Sequence, residues 1–140
     1  MKDQSANKAA VENAARERIK KLLDLQKVLF DAYGEDNYNV FVFGSYPTVR
    51  FDSAKSDADI AVYTPDFELY KKISVTIDDF FFKNSISVDL FYIDTTIPAP
   101  IYLAPLHAQI QMTDYYPEEL SEFEKKCSFA LMQIKEEMAG

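Results

Sequence analysis

Two short apolar runs, joined by a polar loop, constrain this chain more than any other feature. They lie within residues Phe41–Val62, where the first run ends at Gly44-Ser45 and the second closely follows Asp57 and Asp59. Short runs rich in β-branched and aromatic residues predict buried strands. Side chains two residues apart on a strand point to the same face, so the two carboxylates would be neighbours there. Because like charges repel, we expect such a pair to share a cation.

A third carboxylate, Asp89, lies inside the apolar run from Ile86 to Ile93. An unpaired carboxylate is costly to bury, so this position indicates a functional role beside Asp57 and Asp59. Each feature also has an ordinary explanation. Asp89 would need no function if it lay on an edge strand and its side chain faced water. Gly-Ser alone, or Ser-Asp-Ala-Asp alone, is typical of a turn. The three features together, in this order and with strand-like flanks, favour the functional interpretation.

The remaining sequence predicts an α/β fold of the α+β kind, in which a small mixed sheet is flanked by helices. The predicted order is α-β-β-α-β-α-β-α, in a single domain of residues 1–140. Helices are predicted over 7–33 (within an N-terminal segment, 1–34), 64–84, 102–107 and 117–138. Strands are predicted over 38–43, 57–63, 85–94 and 108–112, which makes 38–112 the sheet region.

Helical periodicity assigns a buried stripe to the first and the last helix. The stripe of the first helix comprises Ile19, Leu22, Leu23, Gln26, Leu29, Phe30 and Tyr33. The stripe of the last helix comprises Leu120, Phe123, Cys127, Leu131, Ile134 and Met138. The middle helix is predicted to start at Thr64-Pro65-Asp66, with Thr64 as its capping residue.

Composition and charge narrow the function classes. With 48% hydrophobic and 27% charged residues, the chain is typical of one globular domain rather than of a disordered segment. Its net charge of −8 disfavours a broad nucleic-acid-binding surface, although a small basic pocket is compatible with it. We expect a cytoplasmic protein that does not enter a membrane. The reasons are a single cysteine, an N-terminus unlike a signal peptide, and no apolar run of membrane-spanning length.

Three carboxylates on neighbouring strands would suit the transfer of a phosphoryl or nucleotidyl group. That reaction needs neutralised charge and aligned oxygens more than covalent help from side chains. Mg²⁺ prefers oxygen ligands, and two such ions about 3.5–4 Å apart can clamp an in-line displacement. The metal would be held by Asp57, Asp59 and Asp89. Asp89 would also lie nearest the attacking hydroxyl, where it would act as the general base or help to form it.

The loop between the two runs would bind the triphosphate. Gly44 allows the backbone to approach a phosphate closely. Ser45 offers a hydroxyl and, if a helical turn follows, an N-terminal amide to the same anion. Arg50 and Lys55 are the nearest cations in the sequence for the triphosphate oxygens.

The Gly-Ser turn, the Asp-x-Asp at the start of the second strand and Asp89 on a later strand together resemble the DNA-polymerase-beta-like nucleotidyltransferase superfamily. More narrowly, the chain is similar to the minimal nucleotidyltransferases, which are single small domains. The resemblance covers most of the chain from Val40 onward. It includes the proline-containing segment after Asp94 and the short strand before the last helix.

The resemblance implies a polymerase-beta-like fold, ATP as substrate, Mg²⁺ as cofactor, and transfer of a nucleoside monophosphate with release of pyrophosphate. It implies that Ser45 contacts the triphosphate and that the three aspartates hold metal. Many minimal members are antitoxins that silence an all-helical HEPN ribonuclease toxin by adding AMP to it, so such a toxin is the implied partner. The family usually has Arg-Gly shortly after the Ser, whereas this chain has a longer segment without Gly. Arg50 would then replace that Arg from a different backbone position.

Our leading hypothesis is therefore a Mg²⁺-dependent nucleotidyltransferase that moves AMP from ATP to a hydroxyl, on a partner protein. One alternative is a non-catalytic module of the same fold that binds a nucleotide or docks a partner. Another is an enzyme that modifies a small molecule such as an antibiotic, for which added helices or a homodimer would complete the acceptor pocket. Tyr46 and Tyr63 border the predicted site and are candidates for stacking on a nucleobase. The single histidine, His107, is expected to be structural.

Overall fold

A computed structural model describes residues 4–139, so the predicted domain limits at residues 1 and 140 lie outside the described part. Its helices are α1 (Gln4–Tyr33), α2 (Phe67–Lys83), α3 (Leu103–Leu106) and α4 (Glu118–Ala139), with a 3₁₀ turn, Pro100–Tyr102, leading into α3. Its strands are β1 (Asn39–Phe43), β2 (Ala58–Tyr63), β3 (Val88–Tyr92) and β4 (Ile110–Gln111). This order confirms the predicted one. None of these helices is both long enough and apolar enough to span a membrane.

The strands form one mixed sheet in the order β3-β2-β1-β4. Strand β1 runs antiparallel to both β2 and β4, whereas β2 and β3 are parallel. Parallel neighbours need a crossover connection, which α2 supplies. The structure thus confirms the predicted class, a small mixed sheet flanked by helices.

The alternation of side chains along β2 divides the interior into two cores, one on each face of the sheet. The first core lies between the sheet and helices α1 and α2, and includes Leu25, Leu29, Val40, Val42, Ile60, Val62, Ile73, Ile77 and Phe81. The second lies between the sheet and helices α3 and α4, and includes Phe41, Ala61, Tyr63, Ile93, Leu106, Leu120, Phe123 and Cys127. Asp59 therefore belongs to the face of the second core, as the alternation predicts.

The buried stripes of α1 and α4 differ in part from the predicted ones. On α1, Leu25 is buried, whereas Ile19 and Leu23 are 40% and 61% exposed. Apolar residues occupy a wide sector of this helix, so their periodicity does not show which part faces the sheet. On α4, Ile134 and Met138 are also exposed, because the C-terminal half of the helix extends beyond the second core.

The predicted cap of α2 was also wrong, since Asp66 rather than Thr64 caps the helix. The Asp66 carboxylate accepts hydrogen bonds from the backbone N–H groups of Glu68 and Leu69, at 3.0 and 3.3 Å. Thr64 is fully buried, and its hydroxyl oxygen accepts the N–H of Asp66 at 3.2 Å. A carboxylate that satisfies two free N–H groups is a strong cap, so the helix begins one residue after it.

Candidate active site

Pairing of β2 with β3 brings Asp59 and Asp89 side by side. The register of the two parallel strands places Asp59 directly opposite Asp89. The backbone N–H of Ala58 donates to the carbonyl of Ser87 at 2.9 Å, which extends the pairing to the residue before β3. Neighbouring strands lie about 4.8 Å apart, so both carboxylates project from one face with about that separation between their backbones. The predicted condition for a shared site, that the two strands are neighbours, is met.

Asp57, Asp59 and Asp89 also interact through their charges. Asp59 is half-buried, whereas Asp57, just before β2, and Asp89 are exposed. Burial raises the pKa of the Asp59 carboxyl, and the negative charges of Asp89 and Asp57 raise it further. A cluster of this kind disfavours its own ionised form and favours any cation that neutralises it.

The structure brings two of the three predicted metal ligands into register, rather than all three. Within residues 4–139, no group of three or more His, Cys, Asp or Glu side chains is close enough to hold a metal ion. Strand β3 is an edge strand and Asp89 faces water, as the ordinary explanation of this residue expects. The donors are all carboxylate oxygens, which are the ligands that suit Mg²⁺. Metal binding by Asp57, Asp59 and Asp89 stays a prediction.

Gly44 lies directly against the Asp59 carboxyl. Its φ is +72°, a conformation that glycine adopts at little cost. A Cβ added to it would overlap Asp59 Oδ2 and lie 3.1 Å from Asp59 Cγ. The glycine that was predicted for close approach to a phosphate is thus also required for close approach to a carboxylate.

Ser45 follows in a turn, and the predicted helical turn after it is wrong. Residues 44–50 form successive turns rather than a helix. The Ser45 carbonyl accepts both the backbone N–H of Thr48, at 2.9 Å, and the Thr48 hydroxyl, at 2.8 Å. Side-chain hydrogen bonds of this local kind compete with helix formation. Ser45 can therefore offer its hydroxyl to an anion, but not a helix N-terminus.

Neither tyrosine proposed for base stacking is available to a ligand. Tyr46 is fully buried, and its ring meets those of Phe51 and Phe81 edge to face, with centroids 5.1 and 5.5 Å away. Tyr63 is 2% exposed, stacks on Tyr115 and donates its hydroxyl to a side chain of α4. Both tyrosines are core residues, so the predicted role in base stacking is wrong.

Arg18 of α1 holds the loop and was missed by the sequence analysis. Its guanidinium donates to the carbonyls of Tyr46 and Thr48, at 2.8 and 2.7 Å, and lies 4.9 Å from the centre of the Phe51 ring. Charged hydrogen bonds to backbone carbonyls are stronger than neutral ones. Arg18 therefore fixes the loop that follows Gly44. The sequence carried no signal for it, because it is one polar residue on a helix 28 residues earlier.

Arg50 and Lys55 lie on the same loop, and both are exposed. In the part of the chain that the structure describes, neither forms an ion pair with an acidic side chain. The structure does not join them to the three aspartates, so their predicted contacts with a triphosphate stay a prediction. His107 is exposed too, with its Nε2 2.5 Å from a Glu124 carboxylate oxygen on α4, as a structural residue would be.

Comparison with known proteins finds no matching family model, no matching curated protein and no matching solved structure. The carboxylate pair and the loop beside it are therefore the features from which a function is inferred.

The two glycines with positive φ offer a matched test of the contact between Gly44 and Asp59. Gly34 has a φ of +79° and no atom within 4 Å of an added Cβ. We expect Gly34→Ala to lower the free energy of unfolding by about 1 kcal/mol, through backbone strain alone. Gly44→Ala adds the overlap of the new Cβ with the Asp59 carboxyl. We therefore expect it to lower the free energy of unfolding, measured in urea, by about 2–4 kcal/mol. Equal losses of unfolding free energy in the two variants would contradict the close approach of Gly44 to Asp59. The same conclusion would follow if Gly44→Ala cost as much in a protein that already carries Asp59→Ala.

The raised pKa of Asp59 predicts that its charge destabilises the fold. When the pKa of a carboxyl is higher in the folded than in the unfolded protein, the folded protein becomes less stable as the pH rises through the pKa of the folded state. At pH 7 in EDTA, Asp59→Asn should therefore raise the melting temperature by about 2–4 °C. The gain should vanish below about pH 4, where the unfolded carboxyl is protonated too.

The matched control is Asp24→Asn, at an exposed position in the middle of α1, which should leave the melting temperature nearly unchanged. A lower melting temperature for Asp59→Asn at pH 7 would show that the ionised carboxylate is a structural hydrogen-bond partner instead.

Proposed function

We propose that the protein is a Mg²⁺-dependent nucleotidyltransferase that transfers AMP from ATP to a hydroxyl acceptor. The observation that carries this proposal is the register that sets Asp59 beside Asp89, with Gly44 against the Asp59 carboxyl. A pair of carboxylates next to a glycine turn combines the two parts that nucleotidyl transfer needs. These are oxygen ligands for a divalent cation and backbone that a phosphate can approach.

Asp57, Asp59 and Asp89 would hold the cation in this proposal. When bound, Mg²⁺ would neutralise phosphate charge and align the triphosphate for in-line displacement. Asp89 is exposed on the edge strand, so an acceptor hydroxyl can reach it and pass its proton to it. The raised pKa of Asp59 supports cation binding, because a cation would relieve the repulsion that causes part of that shift.

The triphosphate would bind on the loop side of the carboxylates. Gly44 and Ser45 begin this loop, and Arg50 and Lys55 are its exposed cations. Arg18 holds the loop through two backbone carbonyls, so the loop would present its groups with little loss of conformational entropy on binding.

The finer parts of the proposal follow the resemblance given by the sequence. They are a polymerase-beta-like arrangement of the α/β fold, a cytoplasmic location and an acceptor on a partner protein of the HEPN toxin type. The mixed four-stranded sheet with its carboxylates at the start of β2 and β3 is compatible with the first of these.

A non-catalytic nucleotide-binding module of the same fold is the second candidate. Within residues 4–139 no three acidic side chains are gathered closely enough to hold an ion, which favours this candidate. The two candidates differ in turnover, since a binding module would bind ATP without releasing pyrophosphate.

The test is to incubate the protein with Mg²⁺ and ATP labelled at the α-phosphate, and to measure nucleotide binding, pyrophosphate release and labelled product. We expect binding that needs Mg²⁺, and loss of turnover by about 100-fold or more in Asp59→Asn and in Asp89→Asn. Asp24→Asn serves as the matched control. Nucleotide bound without turnover would support the binding module. Failure of ATP to bind with Mg²⁺ would exclude the enzyme. Unchanged turnover in both aspartate variants would exclude Asp59 and Asp89 as its active site.

A further inference from the structure

A small apolar cavity opens on the sheet face that carries Asp59 and Asp89. Its volume is about 220 Å³, and it is lined by Phe43, Phe91, Tyr92, Ile101, Tyr102, Ala104 and Pro105. Lining residues come from β1 and β3, which lie on either side of β2, and from the segment that runs from the 3₁₀ turn to α3. An apolar cavity of about 150 Å³ is large enough to bind benzene, so this one can hold a ring-sized group.

The lining offers few hydrogen-bond partners to a ligand. Of the lining residues only Tyr92 and Tyr102 have a polar side-chain atom. The Tyr92 ring packs against Tyr70 of α2, and its hydroxyl donates to the carbonyl of Thr64 at 3.3 Å. A nucleobase usually needs several placed polar groups for its recognition. The lining therefore favours an apolar ring or a branched aliphatic group over a nucleobase.

The cavity begins within one row of side chains of the carboxylates. Phe43 is opposite Asp59 in the pairing of β1 with β2, and Phe91 follows Asp89 by two residues on the same face of β3. The rings of Phe43 and Phe91 meet with centroids 5.8 Å apart. A group in the cavity would thus lie on the same face of the sheet as Asp59 and Asp89, one row of side chains away from them.

The cavity extends along the sheet from Phe43, the residue directly before the loop, toward the ends of β2 and β3. The loop of residues 44–57 lies at the end of the sheet where β2 and β3 begin, whereas Phe91, Tyr92 and the segment above them lie toward the ends of those strands. In-line displacement requires that the entering and the leaving oxygen approach phosphorus from opposite sides. With the triphosphate on the loop, the entering hydroxyl would have to come from the part of the cavity that lies away from Phe43.

We propose that the cavity binds an apolar, ring-sized group of the acceptor, next to the hydroxyl that receives AMP. This inference rests on the proposed nucleotidyltransferase function. The acceptor oxygen forms a bond to the α-phosphorus, and the bond from the α-phosphorus to the oxygen bridging to the β-phosphate breaks. The electron pair of that bond leaves with pyrophosphate, and the hydroxyl proton goes to the Asp89 carboxylate.

The test uses benzyl alcohol and glycerol as acceptor probes, with ATP and Mg²⁺, and measures AMP esters by mass spectrometry beside AMP formed by hydrolysis. We expect transfer to benzyl alcohol to exceed transfer to glycerol by about tenfold or more. Ala104→Leu fills the cavity from its rim, so it should abolish that preference and leave the KM for ATP and the hydrolysis rate unchanged. The matched control is Ala32→Leu, at an exposed position of α1, which should change neither.

An unchanged preference for benzyl alcohol in Ala104→Leu would overturn the proposal, and so would a raised KM for ATP in that variant. Absence of both transfer and hydrolysis would instead overturn the proposed function. The cavity itself is then tested by NMR, from the shifts of the Phe91 and Tyr102 signals with benzyl alcohol, glycerol or adenosine. Shifts caused by adenosine would make the cavity a base site. Benzyl alcohol that binds but never receives AMP would overturn the role of the cavity as an acceptor site.

Discussion

The pairing of β2 with its two neighbours is the constraint on which the candidate site depends. One register sets Asp59 opposite Asp89, and the other sets it opposite Phe43, one residue before the Gly44 turn. Side chains alternate along a strand, so a slip by one residue would move Asp59 into the first core and Ile60 out of it, to the opposite face of the sheet. Because Ala58, Ile60 and Val62 are fully buried on the face of the first core, the hydrophobic core itself fixes the position of the carboxylates.

The site also has a cost that the rest of the fold must offset. Burial raises the pKa of Asp59, the charges of Asp89 and Asp57 raise it further, and Gly44 adopts a φ that favours glycine. The two cores on either face of the sheet provide the stabilisation, and Arg18 adds charged hydrogen bonds that hold the loop. Local destabilisation at a site, offset elsewhere, is common where a ligand is to be bound.

Local patterns predicted much of this structure from the sequence. The alternation of apolar and polar residues in β2 and β3 predicted which face of the sheet carries Asp59 and Asp89. The glycine at the end of β1 predicted the turn. Features that depend on contacts between residues far apart in the sequence were missed or predicted wrongly. The burial of Tyr46 requires Phe81 from α2, and the role of Arg18 requires the loop to fold back on α1. The cavity likewise joins β1, β3 and the segment before α3, which no local pattern connects.

The most direct test of the central claim is to locate a divalent ion by NMR, with Mn²⁺ and ATP in place of Mg²⁺ and ATP. We expect Mn²⁺ to broaden the amide signals of Ala58, Asp59 and Asp89 before any others. The double variant that carries both Asp59→Asn and Asp89→Asn should lose this broadening. Glu35, Asp36 and Asp114 line a separate acidic cavity and serve as the internal comparison. Broadening at that cavity, with the signals around Asp59 left sharp, would contradict the account.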